Sequence, residues 1–167
     1  MPHAPTPAPP LSSGVRAGLH ACVALTVEEP DTALSLRSGD VPVLATPRLM
    51  ALCEEASCRA LEGHLGAGRT SVASRVQFDH LVPVPVGSTV LAEAFLERVE
   101  GRRLAFTISV ALDAADRAAL VGAGRLTRVV VDRPAFLAKA GCVAGSADPP
   151  AAVRARAPHA TSPASAP

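Results

Sequence analysis

The chain has 167 residues, 49% of them hydrophobic and 19% charged, and a net charge of +1. That is enough for one domain with a buried core. Aromatic residues make up only 2%, with no Trp or Tyr, which argues against a nucleic-acid protein built on a basic face and stacking rings.

Residues 1–14 contain PHAPTPAPPLSS at 2–13, a Pro/Ala-rich run, and are expected to be a disordered tail. It carries neither a positive n-region nor an apolar h-region, so no secretory signal is expected. Residues 137–167 return to the same composition and end in ATSPASAP; they are expected to form a second disordered tail. The folded domain is therefore placed at 15–136. No apolar run reaches the roughly 20 residues of a membrane span. Cys22, Cys53, Cys58 and Cys142 form no CxxC pair and no zinc spacing. Free thiols in a reducing, cytoplasmic compartment are expected, with no metal.

Residues 16–28 predict a strand, because Leu19, Ala21, Val23, Leu25 and Val27 alternate with less apolar neighbours. Residues 29–44 are broken by Pro30, Gly39 and Pro42 and predict an irregular connection, possible cover for a pocket. Residues 45–65, ATPRLMALCEEASCRALEGHL, predict a helix of about four to five turns. Thr46 is expected to cap it, Pro47 to occupy its first position, and Gly63, Gly66 and Gly68 to mark its end. At about 100° per residue, Arg48, Glu55, Arg59 and Glu62 form one wet stripe. Met50, Cys53, Ser57, Ala60, Leu61 and His64 fall opposite, and Glu54 falls on this apolar side, about 110° from the charged stripe.

Thr70–Leu81 predicts a second strand, with Val72, Val76, Phe78 and His80 on one face. Three more follow as a meander over 88–99, 104–112 and 118–131, turning at Glu100-Gly101-Arg102 and at Ala114-Ala115-Asp116-Arg117. The string GAGR occurs at 66–69 and again at 122–125. It matches no phosphate-binding loop; the first copy reads as the turn after the helix, the second as a bulge or close approach inside a strand. The order strand, helix, four strands predicts an α+β fold, an antiparallel sheet with one long apolar helix on its concave face. The sheet has more apolar surface than one helix covers, which fits a dimer.

Glu54 and His80 break the apolar pattern of their elements, and Thr46 stands at the helix start. Each has a structural explanation: a Thr-Pro start is a common cap, and an inward His or Glu can be satisfied by core hydrogen bonds. Together they are also the groups that proton transfer in a dry site requires.

The segments VLATPRLMALCEEAS, SRVQFDHLVPVPVGSTV and LERVEGRRLAFTISV resemble the hot-dog-fold thioesterases of the fluoroacetyl-CoA thioesterase-like branch, over about 15–136. The resemblance implies a hot-dog fold, a sheet wrapped around a long central helix. It implies a homodimer with active sites near its interface, and a catalytic set carried over to Thr46, Glu54 and His80. It further implies hydrolysis of an acyl-CoA or acyl-carrier thioester with no separate cofactor, CoA being part of the substrate. A non-catalytic acyl-thioester-binding module and a hydratase or dehydratase on the same fold are the rival readings. The chain departs from the branch in two places. The segment TALSLRSGDVPVLA before the helix holds no aromatic residue, so a fluorinated substrate is not implied. Ala73 stands where the branch can carry glycine.

Overall fold

A computed structural model describes residues 14–113 and 119–145. Five strands form one antiparallel sheet: β1 (His20–Thr26), β2 (Arg69–His80), β3 (Thr89–Glu100), β4 (Arg103–Leu112) and β5 (Leu120–Asp132). Their spatial order is β1-β3-β4-β5-β2, so β1 and β2 are the edges. Helix α1 (Thr46–Ala60) lies on one face and packs chiefly against β1 and β3. This is the α+β arrangement that the element order predicts.

The core follows from two periodicities. Along β4, Leu104, Phe106, Ile108 and Val110 are buried, while Ala105, Thr107 and Ser109 between them are partly exposed. Along α1, Leu49, Leu52, Cys53, Ala56, Ser57 and Ala60 are buried, the stripe that a helix must turn toward a sheet. Glu55 and Arg59 stay outside as an exposed ion pair at 3.1 Å. Arg48 departs from the wet stripe expected of it. It is half-buried, and its Nε donates to Asp31 at 2.7 Å, tying the first turn of α1 to the short 3-10 helix Glu29–Asp31.

Four expectations are corrected. Thr46 is not the cap: Ala45 holds the N-cap, Thr46 is the first helical residue, and no side chain caps the end. The helix stops at Ala60 rather than near residue 65. Turns close 61–64 through Leu61 N–H to Cys58 C=O and His64 N–H to Leu61 C=O, both 3.0 Å, and Gly63, Gly66 and Gly68 take positive φ in the connection. Val72 does not share a face with Val76. A bulge between Ala73 and Arg75 adds one residue to β2, which reverses side-chain parity; Ser71, Ala73, Val76, Phe78 and His80 share the inner face instead. The fourth concerns the tail: residues 137–145 belong to helix α2 (Arg133–Gly145), which suits its Ala-rich sequence. Among the described residues, 134–145 form a unit apart from the sheet domain. The turn expected at Ala114–Arg117, and the tails over 1–13 and 146–167, lie outside the described residues.

The second GAGR string lies where β2 and β5 approach closely. Gly122 pairs with His80 and Gly124 with Phe78. A Cβ on Gly122 would sit 2.7 Å from Phe78 Cε1 and 2.8 Å from the Asp79 carbonyl oxygen; one on Gly124 would sit 2.8 Å from Phe78 Cα. Both glycines are therefore required for β2 to approach β5, and that approach seats the end of β2.

Candidate active site

Thr46 and His80 meet. The hydroxyl of Thr46 and Nδ1 of His80 are 2.9 Å apart, and backbone pairing fixes both ends of the contact. Leu81 N–H donates to Val121 C=O at 2.8 Å, just after His80. Leu44 N–H donates to Val84 C=O at 2.8 Å, just before Thr46, and Ala45 N–H to Asp31 C=O at 2.9 Å. The other imidazole nitrogen, Nε2, is buried with no hydrogen-bond partner among the described residues. A buried imidazole nitrogen left unsatisfied costs about 1–3 kcal/mol, so it marks either strain or a place for a ligand atom.

Both residues line a cavity of about 380 Å³. Its wall is formed by the 33–44 segment on one side and Leu81, Val82 and Pro83 on the other. The irregular connection before the helix thus does border a pocket, as its position suggested. It is held in place by its own hydrogen bonds, Ala33 N–H to Val43 C=O at 2.8 Å and Leu34 N–H to Val41 C=O at 3.2 Å. First-turn amides of α1 precede the first helical bond, Leu49 N–H to Ala45 C=O, and so have no intrahelical acceptor. They stand at the Thr46 end of the cavity.

Glu54 is half-buried on α1 and does not line this cavity. It lies eight residues beyond Thr46, about 12 Å further along the helix axis. Its carboxylate has no hydrogen-bond or ion-pair partner among the described residues. Its charge is nevertheless felt next door. Burial first, and the Glu54 carboxylate second, push the Cys53 thiol up from 9.0 to about 12. The folded state therefore keeps a proton that the unfolded chain releases above pH 9. The stabilisation is complete below about pH 9 and is lost as pH rises toward 12, by up to about 1.4 kcal/mol per unit. Urea midpoints at pH 8 and pH 10.5 are expected to fall more steeply for the native chain than for Cys53→Ala; equal slopes would remove Cys53 as the cause.

One buried charge went unmarked in the sequence. Arg128, on β5, is 4% exposed. Its guanidinium donates to Ser71 Oγ at 2.8 Å, the Ser71 carbonyl at 2.8 Å and Ser57 Oγ at 3.1 Å. Ser57 Oγ in turn donates to the Glu54 carbonyl at 2.6 Å. This network ties β5 and β2 to the helical turn that carries Glu54. The signal was available: Arg128 alternates with Leu126 and Val130, both buried, so it shares their face as His80 shares that of Phe78. A larger cavity of about 490 Å³, at the far end of α1 beside Cys58, Glu62 and Arg69, includes neither Thr46 nor His80.

The profile of the family described as fluoroacetyl-CoA-specific thioesterase, FlK, matches residues 27–134. A fluoroacetyl-CoA thioesterase from Streptantibioticus cattleyicolor is 36% identical over 97 residues, 58% of this chain and 67% of that protein. The structure of an FlK variant in complex with acetyl-CoA superposes with a TM-score of 0.70 at 28% identity, covering 77% of this chain and 98% of that one. A thioesterase superfamily member from Thermus thermophilus shares the fold, with a TM-score of 0.71 at 24% identity over 78% of this chain and 93% of its own. With its antiparallel sheet, its single helix on the inner face and this match across the ordered domain, the chain belongs to the fluoroacetyl-CoA-specific thioesterase family and is a thioester hydrolase of the hot-dog fold.

Proposed function

We propose that the protein hydrolyses an acyl-CoA or acyl-carrier thioester to a free acid and a thiol, with Thr46, Glu54 and His80 as its catalytic set and no metal. The observation that carries this reading is the Thr46–His80 contact at the cavity, with the buried Nε2 of the same ring left free for another atom. In the reaction Glu54 takes a proton from water, whose oxygen attacks the thioester carbonyl carbon; direct attack by the carboxylate to form an anhydride is the variant. As the C–S bond breaks, the leaving sulfur takes a proton from Nε2 of His80, and the ring regains it from Glu54, which holds the proton taken from water, so both groups return to their starting state. When the Thr46 hydroxyl donates to Nδ1, Nε2 carries the proton that this step moves. First-turn amides of α1 stabilise the charge that develops on the carbonyl oxygen.

The proposed unit is a homodimer. Glu54 is about 12 Å along the axis from Thr46, so the set closes most directly between Glu54 of one copy and Thr46 and His80 of the other. Two observations support this. The β2 edge carries unpaired backbone groups, and its inward side chains Ala73, Val76 and Phe78 remain half-exposed in the single chain. A cytoplasmic location is part of the reading. Among the described residues, no helix is long and apolar enough to cross a membrane.

The test is thiol release. Purified protein incubated with butyryl-CoA is expected to liberate one thiol and one molecule of butyrate per thioester consumed. Binding of butyryl-CoA without release of thiol would leave an acyl-thioester-binding module in place of a hydrolase.

A further inference from the structure

The lining of the cavity says what kind of acyl group it takes. Apart from Thr46 and His80, its polar side chains reduce to Ser38. The rest is aliphatic, with Val41, Val43, Leu81 and Val82 the main contributors, and it includes no aromatic ring and no Lys, Arg, Asp or Glu. The aliphatic character continues outside. Val41 and Leu81, both in the lining, are 48% and 54% exposed, and Leu34 and Leu36 of the same 33–44 wall segment are 52% and 45% exposed. The isolated bridge Val43↔Pro85 joins this segment to the stretch after β2. Single exposed apolar residues need no explanation, but a group of this kind around one opening does.

We infer that the acyl group bound here is an unsubstituted aliphatic chain of roughly four to eight carbons, longer than a two-carbon unit and without a terminal charge. This rests on the thioesterase reading above and names its substrate class. Size supports it. The cleft at Thr46 and His80 is open to solvent and holds about 380 Å³, more than the roughly 150 Å³ in which an enclosed dry cavity accepts benzene, six carbons. Chemistry supports it further. A carboxylate at the end of the chain would lie against an apolar wall with no cation among this chain's lining residues to receive it, and the Glu54 that the second copy brings to the site would repel it. A short polar group would leave most of the apolar wall unfilled.

The experiment compares kcat/KM for acetyl-, fluoroacetyl-, butyryl-, hexanoyl-, octanoyl- and succinyl-CoA on the full chain. Burial of each methylene is expected to raise kcat/KM up to about fourfold, so hexanoyl-CoA should exceed acetyl-CoA by roughly 30-fold or more. Fluoroacetyl-CoA should lie within a few-fold of acetyl-CoA, and succinyl-CoA roughly tenfold or more below butyryl-CoA. Val41→Phe narrows the cavity at an exposed position that tolerates exchange; it should lower the hexanoyl-to-acetyl ratio about tenfold. Hydrolysis that is flat with chain length, or best with acetyl- or fluoroacetyl-CoA, would overturn the inference while leaving the hydrolase reading intact. No thiol release from any of the six would bring both down.

Discussion

Gly124→Ala is expected to destabilise the fold by roughly 3 kcal/mol or more, and to lower Tm by about 10 °C or more. Position 124 faces Phe78 across the β2–β5 ladder. A Cβ there would fall inside van der Waals contact of the Gln77 carbonyl oxygen, 2.9 Å from the Gln77 carbonyl carbon and 2.8 Å from Phe78 Cα. These are backbone atoms, so no change of rotamer relieves the clash. β2 can move away only by giving up its hydrogen bonds to β5, and β2 is an edge with no second neighbour among the described residues. Gly122→Ala should cost less, because part of its clash is with the Phe78 ring, which can turn. Gly141, in α2, has open space around a built Cβ, and Gly141→Ala is the control, within about 1 kcal/mol of the native chain. A Gly124→Ala protein melting within two or three degrees of the native one, roughly the 0.5 kcal/mol scale of a surface exchange, would mean that the two strands are not this close.

These glycines also show where sequence reading stops. Alternation in Leu104–Leu112 and the helical stripe of α1 were legible, because burial repeats with a fixed period. The same reasoning set His80 beside Val76 and Phe78. It failed at Val72, because one extra residue at the Ala73–Arg75 bulge reverses parity, and the segment has no Gly or Pro to signal it. Thr46 was legible as a residue of interest but not in its role. Ala45 takes the cap, and the Thr46 hydroxyl turns to an imidazole 34 residues away in sequence, a partner no local rule supplies. The wheel gave the azimuth of Glu54 and eight residues at about 1.5 Å each gave its height, about 12 Å along the axis from Thr46; its absence from the cavity that Thr46 and His80 line was not legible. Arg128 stood in plain alternation, yet the run TRVVV around it reads as an ordinary edge of polar and apolar residues.

His80→Ala and Glu54→Gln are each expected to lower kcat/KM by about a hundredfold or more, the lower end of what a positioned acid or base contributes. For His80 the loss comes from the ring whose Nδ1 is engaged by Thr46 and whose Nε2 is buried and free. For Glu54 it comes from a half-buried carboxylate that no described side chain pairs with. Glu55→Gln is the matched control one residue along. Glu55 is exposed and its ion pair with Arg59 is superficial, worth about 0.3–0.5 kcal/mol, so activity should stay within twofold. Stability should hold in all three, which separates lost chemistry from lost folding. The two variants also test how the set is assembled. If Glu54 acts on the Thr46–His80 pair of the other copy, a mixed dimer of Glu54→Gln and His80→Ala has one site with both defects and one with neither. Co-refolding the two in equal amounts should then restore roughly a quarter of native activity, half the dimers being mixed and each of these having one intact site of two. If the three groups act within a single chain, every site carries one defect and nothing is restored. Activity of both single variants within a few-fold of native would remove Glu54 and His80 from the chemistry altogether. The Thr46–His80 contact would then be a structural hydrogen bond at the end of an apolar cleft.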